Sequence, residues 1–364
     1  MSLVPEHIKE LAPYIPGKTI ESVKDEYKLE SIIKLASNEN PLGPSLKSIE
    51  IIKKNLLGIH RYPDSSGHKL RQKLAEKFNL KIDNVVLGAG SEGVMSSIMR
   101  TFLKQTDEII GTENSFIGFR VLANASGKKV LWLPMKNDKY DLEKISDNVN
   151  DKTKIIYLAN PDNPMGTYFN IKDFDMFMSR IPSRVLVILD EAYFEYAQFI
   201  KDYPDSMFYR YDNVITLRTF SKIYGLAGLR IGYGFAHEDL IANLMKVKLP
   251  FEPSILAQAA AIAALEDEKH LNDSVKINRE GMKYLTYEFD KLNINYIDSV
   301  TNFITIKFSS LTLTKKCALF LLKNGVIVRE LKGFGLPLYI RISIGTMNEN
   351  RTLVKMLKIF LGSI

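Results

Sequence analysis

Five apolar residues in a row, Val185-Leu186-Val187-Ile188-Leu189, run straight into a carboxylate, Asp190. A run with no polar alternate position reads as a strand covered on both faces, as in a parallel sheet lying between layers of helix. Shorter β-branched runs recur at Asn84–Leu87, Glu108–Gly111, Lys129–Leu133, Lys154–Leu158, Asn213–Leu217 and Arg230–Phe235. Helical stretches fall between them, among them Gly93–Leu103, Gly118–Asn124 and Ile171–Arg180. This alternation predicts an α/β fold, a mostly parallel sheet sandwiched by helices. A carboxylate that closes such a strand points into the crevice where these sheets bind ligands. Its alternative role is to cap the segment that follows.

The texture changes after Pro250-Phe251-Glu252-Pro253. A long helical region, Ser254 to about Leu292, precedes a strand at Asn302–Phe308, a helix near Thr314–Asn324, and strands at Val326–Arg329 and Tyr339–Ser343. That pattern predicts a smaller α+β domain. At the other end, Pro13-Tyr14-Ile15-Pro16-Gly17 cannot be helical and reads as an arm. Two turn-rich stretches follow, Asn38–Pro44 and Arg61–Gly67, either surface turns or walls of a site. The expected division is an arm over 1–38, a large ligand-binding domain over 39–252 and a small domain over 253–364.

Composition narrows the chemistry. Lys+Arg 49 against Asp+Glu 42 leaves a formal charge of +7 over 364 residues, with no block of five basic residues. Neither a nucleic-acid arm nor a polybasic membrane patch is expected. One cysteine, Cys317, excludes an internal disulfide and a multi-cysteine zinc site, and the five histidines lack ligand spacing, so no metal is expected. The longest apolar stretch, Ile255–Leu265, falls short of the ~20 residues that cross a bilayer. With no leader pattern at the start, the expectation is a soluble cytoplasmic protein.

Gly88-Ala89-Gly90-Ser91-Glu92-Gly93 follows a strand and opens a helix, so its N–H groups are placed to cradle a phosphate. Taken literally it is a dinucleotide fingerprint, with Glu113 where a ribose-binding acid belongs. Further on, Thr219-Phe220-Ser221-Lys222 sets two hydroxyls around a lysine at a strand's end. Then Gly225–Gly234 places one arginine, Arg230, in a glycine-rich apolar setting that is costly unless it meets an anion. These pieces suit pyridoxal phosphate, which needs a lysine for its aldehyde, a carboxylate for its pyridine nitrogen and donors for its phosphate. Lys222 and Asp190 would fill the first two roles. Ser91, the Glu92 backbone, Thr219, Ser221 and Arg230 would hold the phosphate, Tyr193 and Asn163 would donate to the ring oxygen, and Phe116 would stack on the ring or else pack in the core.

The same residues resemble the fold-type I pyridoxal-phosphate-dependent aminotransferases, and within them the histidinol-phosphate aminotransferase family. The resemblance covers essentially the whole chain. It rests on Pro13–Lys18 and Lys34–Pro44, on Arg61-Tyr62-Pro63-Asp64, on Thr219–Lys222 with Gly225–Tyr233, and on Gly335-Leu336-Pro337 through Arg341–Thr346. It implies a homodimer, in which Tyr62 reaches the cofactor phosphate of the neighbouring subunit. It implies Lys222, Asp190 and Tyr193 as catalytic residues. Tyr14, Arg329 and Arg341 would bind the substrate's phosphate, with Arg341 also receiving the glutamate carboxylate. The implied reaction converts histidinol phosphate and 2-oxoglutarate to imidazole-acetol phosphate and glutamate, a step of histidine biosynthesis, by a ping-pong mechanism.

Three positions depart from that family's pattern. Glu92 stands where an aspartate or asparagine is usual, Phe116 where a tyrosine is common, and Met165 where threonine follows Asn-Pro. None removes a chemically necessary group. An aromatic amino-acid aminotransferase or a threonine-phosphate decarboxylase would use the same cofactor residues. A nicotinamide oxidoreductase would leave Lys222 and Arg230 without a role. A regulator built on the fold would need a DNA-binding module for which the first thirty residues show no pattern.

Overall fold

A computed structural model describes residues 3–206 and 211–363. Its strands, in chain order, are β1 (Ile33–Lys34), β2 (Val85–Gly88), β3 (Glu108–Thr112), β4 (Lys129–Leu133), β5 (Thr153–Ala159), β6 (Leu186–Asp190), β7 (Val214–Thr219) and β8 (Gly232–Phe235). There follow β9 (Asn295–Ile297), β10 (Phe303–Lys307), β11 (Val326–Ile327), β12 (Arg329–Glu330) and β13 (Tyr339–Ser343).

Seven of them form one sheet in the order β2-β8-β7-β6-β5-β3-β4. The pairs from β7 to β4 are parallel, whereas β8 runs antiparallel to both its neighbours. The link from Thr219 to Gly232 holds a single short turn of helix, Ala227–Leu229, too little to cross back over the sheet, so the chain returns antiparallel. β6 accounts for its own apolarity. Leu186 and Ile188 enter one core cluster, with Phe119 and Tyr157, while Val187 and Leu189 enter another, with Phe174 and Phe177. Period-two alternation therefore turns Asp190 to the same face as Ile188.

The smaller sheet has the order β12-β13-β10-β9 and is antiparallel throughout. Two expectations are corrected here. The helical region from Ser254 is two helices, Ile255–Leu265 and Glu268–Lys291, because the Asp267 side chain accepts the His270 N–H and starts a new helix. The first packs its alanines, Ala257, Ala260, Ala261 and Ala264, into a core with Leu70, Leu74 and Tyr233. The single strand expected at Val326–Arg329 also divides: β11 pairs with β1 of the arm, and β12 pairs with β13.

The arm is thus tied beside the smaller sheet, β1 and β11 forming a two-stranded parallel sheet of their own. Leu35 accepts the Ser343 N–H through its carbonyl, and its side chain packs with Ile304, Ile340 and Ile342. Beyond it the chain passes to the larger sheet, where Asn40 Nδ2 donates to the Ile223 carbonyl (2.6 Å) and Ser274 Oγ (2.9 Å).

Candidate active site

The carboxyl ends of β2, β3, β5, β6 and β7 and the amino end of β8 lie on one edge of the large sheet. The loops they launch enclose a cavity of about 230 Å³. Ser91, Glu92, Phe116, Asn163, Asp190, Tyr193, Thr219, Ser221, Lys222 and Arg230 all line it. Each was named from the sequence, and the sheet edge brings them together.

Asp190 stands at the cavity floor with its carboxylate bonded on both oxygens. The Tyr157 hydroxyl donates to Oδ2 (2.8 Å) and the Ala192 N–H to Oδ1 (3.2 Å). Burial raises its pKa to about 6, and those two bonds work against the rise. Across the cavity, burial and then the nearby Arg341 charge push the Lys222 ammonium down to about 8. Its Nζ lies 3.4 Å from the Ser37 carbonyl of the arm. An acid raised and a base lowered in one cleft is an arrangement for moving protons near neutral pH.

The far end is a cup for an anion. The helix Gly90–Phe102 points its N-terminus at the cavity, with Ser91 and Glu92 in its first turn. A Cβ at Gly232 would stand 2.4 Å from the Ser91 nitrogen, so the close approach needs a glycine there, and Gly90 opens the helix with a φ of 76°. Thr219 Oγ1 donates to Ser221 Oγ (3.0 Å), and Arg230 Nη1 reaches the same Ser221 oxygen at 3.4 Å. Backbone N–H groups, two hydroxyls and a guanidinium suit a phosphate. The sequence argument for Arg230 needs one correction: its side chain is half-exposed and not buried. It ends the turn Ala227–Leu229 with a φ of 51°, and its Nη2 pairs with Glu92 Oε2 at 3.3 Å. The Glu92 carboxylate, and not its backbone alone, therefore faces the cup.

Two donors look into the middle of the cavity. Arg341 Nη1 donates to Asn163 Oδ1, and because arginine can only donate, the Asn163 amide nitrogen is left for the cavity. Tyr193, fully buried, accepts a 2.8 Å bond from Asn38 Nδ2. Sequence reasoning named neither Asn38 nor Tyr157 for the site.

The outer residues lie apart from the cavity lining. Arg341 is buried, donates from Nη2 to the Ala36 carbonyl (2.9 Å), has no acidic partner among the described residues, and leaves its Nε without a hydrogen bond. Arg329 Nη2 lies 3.4 Å from the Tyr14 hydroxyl, with the guanidinium 5.8 Å from the ring centre, so these two meet at the surface. β12 and β13 pair Arg329 directly opposite Arg341. Tyr62 is not in the cavity of its own chain: it is exposed and stacks on Phe251 with ring centres 4.2 Å apart.

The dinucleotide reading of Gly88–Gly93 fails on topology. β2 lies at the sheet's edge beside an antiparallel neighbour, not at the parallel centre where such a loop binds, and Glu113 does not line the cavity.

Residues 30–357 match the family described as Aminotransferase class I and II. Among curated relatives, histidinol-phosphate aminotransferase 2 of Carboxydothermus hydrogenoformans is 39% identical, covering 99% of each chain. Histidinol-phosphate aminotransferase 1 of Nitrosococcus oceani is 41% identical over 96% of this chain and 95% of its own. Histidinol-phosphate aminotransferase from Sinorhizobium meliloti, solved in complex with pyridoxal-5'-phosphate, superposes with a TM-score of 0.91 at 26% identity, covering 100% of this chain and 98% of that one. The aspartate aminotransferase of Thermus thermophilus, at 17% identity and a TM-score of 0.84 over 99% and 100% of the two chains, shares the fold.

Proposed function

The chain belongs to the class I and II aminotransferase family, and from that premise we propose that it transfers the amino group of histidinol phosphate to 2-oxoglutarate with pyridoxal phosphate as cofactor. The observation that carries this reading is the convergence of Lys222, Asp190 and the phosphate cup on one cavity. The names of the relatives and the cofactor of the Sinorhizobium enzyme support the substrate and the cofactor.

When bound, pyridoxal phosphate supplies the aldehyde that takes up the amino group and the ring that draws electrons from the substrate's α-carbon. The chain does the rest. Ser91, Thr219, Ser221 and Arg230, with the helix N-terminus, hold the phosphate. Asp190 keeps a proton on the ring nitrogen, whose positive charge in turn favours the carboxylate over the neutral acid. Tyr193 and Asn163 would donate to the ring oxygen, and Phe116 would stack on the ring. Lys222, with its pKa lowered to about 8, would bond to the aldehyde and, once freed, would move the proton of the substrate's α-carbon.

Arg341, Arg329 and Tyr14 bind the substrate's phosphate, and Arg341 also takes the carboxylate of glutamate. A buried guanidinium with an unpaired Nε and no acidic partner supports an anion site there. Tyr62 serves the phosphate cup of a second copy in a homodimer. In support, Leu46, Leu57, Ile59, Tyr62, Leu249 and Phe251 are all exposed around that segment. A cytoplasmic location follows from the same biosynthetic role. Among the described residues no helix is long and apolar enough to cross a membrane.

The test is a set of half-reactions on purified cofactor-loaded protein, followed by visible absorption. Histidinol phosphate should convert the cofactor to its amino form far faster than phenylalanine or histidinol. Equal rates for phenylalanine would replace this reading with a general aromatic aminotransferase.

A further inference from the structure

Asn38 sits where the arm meets both sheets, 1% exposed and in the left-handed conformation with a φ of 56°. Its backbone and side chain are bonded throughout. The N–H donates to Ser343 Oγ (2.8 Å), the carbonyl accepts from Asn302 Nδ2 (2.9 Å), Oδ1 accepts from Ser343 Oγ (3.0 Å), and Nδ2 donates to the Tyr193 hydroxyl (2.8 Å). The amide cannot turn over without loss. Ser343 already accepts the Asn38 N–H, so its single proton needs an acceptor, and Asn38 Oδ1 is the one bonded to it. Nδ2 is thereby aimed at Tyr193.

The Tyr193 oxygen accepts that bond, and among the described residues its own proton goes to no protein group, while the side chain lines the cavity. We propose that Asn38, oriented by Ser343, is a positioning residue that fixes Tyr193 as a hydrogen-bond donor to the cofactor's ring oxygen. This rests on the function proposed above, which puts that oxygen beside Tyr193. The counterpart is Arg341, which orients Asn163 in the same sense. Arg341 and Ser343 are alternate residues of β13 and share one face, so a single strand of the smaller sheet sets both ring-oxygen donors. A donated bond draws charge from the ring oxygen and loosens its hold on the proton shared with the lysine nitrogen, so the protein's visible absorption titrates at lower pH. Polarisation by Asn38 strengthens that donation.

The experiment is a pH titration of visible absorption for the cofactor-loaded wild type and for Asn38→Gly, Asn38→Asp, Ser343→Ala and Tyr193→Phe. Glycine and aspartate both accept the left-handed backbone; the first deletes the donor and the second offers Tyr193 an acceptor in its place. The midpoint should rise by about half to one pH unit in Asn38→Gly, the worth of one hydrogen bond. It should rise further in Asn38→Asp and less in Ser343→Ala. A raised midpoint in Tyr193→Phe with unmoved midpoints in the Asn38 and Ser343 variants overturns the inference and leaves the proposed function standing. An unmoved midpoint in Tyr193→Phe overturns the role of Tyr193 itself. Should the Asn38 variants fail to hold cofactor, Ser343→Ala decides alone, and a wild-type midpoint there sinks the proposal.

Discussion

The Tyr157 hydroxyl donates a 2.8 Å hydrogen bond to the Asp190 carboxylate from the neighbouring strand, where the β5–β6 register sets Ala159 opposite Asp190. Both groups are buried, and this phenol is the largest of the influences, ahead of the Ala192 N–H and the Lys222 charge, that work against the rise of Asp190 to about 6. Tyr157→Phe should therefore raise the Asp190 pKa in the cofactor-free protein and weaken the carboxylate's hold on the ring nitrogen in the loaded one. Turnover near pH 7 should fall about tenfold or more, the cost of losing a hydrogen bond to a charged group. Asp190→Asn should lose more, with the fold unchanged by circular dichroism. Wild-type turnover in Tyr157→Phe would assign the tyrosine to packing alone.

Lys222 should be the residue that carries the cofactor. Borohydride reduction followed by peptide mapping should find the pyridoxal group on the Lys222 peptide. Lys222→Ala should lose about 10²- to 10⁴-fold or more in turnover, the range of one positioned acid–base group, while still binding cofactor through the phosphate cup. Label on another lysine would remove Lys222 from the centre.

Glu92 and Arg230 form an ion pair at the mouth of the phosphate cup, so an arriving phosphate must share Arg230 with a carboxylate. Glu92→Gln should tighten cofactor binding by about two- to fivefold, the scale of a solvent-exposed pair, with the gain shrinking at high salt. Equilibrium dialysis against pyridoxal phosphate measures this directly. Weaker binding in Glu92→Gln would mean that the carboxylate orients Arg230 instead of competing for it.

Arg329 and Arg341 face each other across β12 and β13 but differ in surroundings, and their variants should differ as well. Each substitution to alanine should cost histidinol phosphate about 30- to 1000-fold in single-turnover kcat/KM, the loss of one charge-assisted contact. Arg329→Ala should leave the glutamate half-reaction nearly intact, whereas Arg341→Ala should impair both. Equal losses for histidinol and histidinol phosphate would show that the arginines act through packing.

Asp162 is buried beneath the site, accepting bonds from Ser115 Oγ (2.8 Å) and the Met165 N–H (3.1 Å), and burial raises it to about 7. Its folded pKa lies above its unfolded value, so the stability it contributes is fully present below about pH 4 and is lost as the pH rises through about 7. Urea unfolding of the cofactor-free protein should show stability falling over that window, and Asp162→Asn should flatten the fall. An unchanged slope would place the dependence on other groups.

The residues legible in the sequence were those that the local chain brings together. Thr219, Ser221 and Lys222 follow one strand, Ser91 and Glu92 open one helix, and Asp190 closes the most apolar run. Those left out act across distance. Tyr157 sits inside Thr153–Ala159, where an aromatic reads as core, and only cross-strand register reveals that its hydroxyl meets Asp190. Asn38 lies in a stretch read as a turn or a site wall, yet its partners Tyr193 and Ser343 are 155 and 305 residues away. Arg230 was assigned to the right place by a faulty argument: its apolar neighbours describe the backbone around it, while the long side chain carries the charge outward to Glu92. The break at Asp267 was written as an N-cap signal inside a stretch whose polar residues passed for the wet face of one helix.

The pairing of β1 with β11 ties residues 33–34 to residues 326–327, and this sets an order of assembly. A chain leaving the ribosome has all seven strands of the large sheet in hand by Phe235. Its own Ser37 and Asn38 cannot take their places until the strand ending at Ser343 has been made, and closing so long a loop comes late in folding. A chain cut short before that strand would hold the lysine, the carboxylate and the phosphate cup, and lack the residues that orient Tyr193 and Asn163. The full set of ring-oxygen donors is therefore a property that the chain acquires only once it has been made through Ser343.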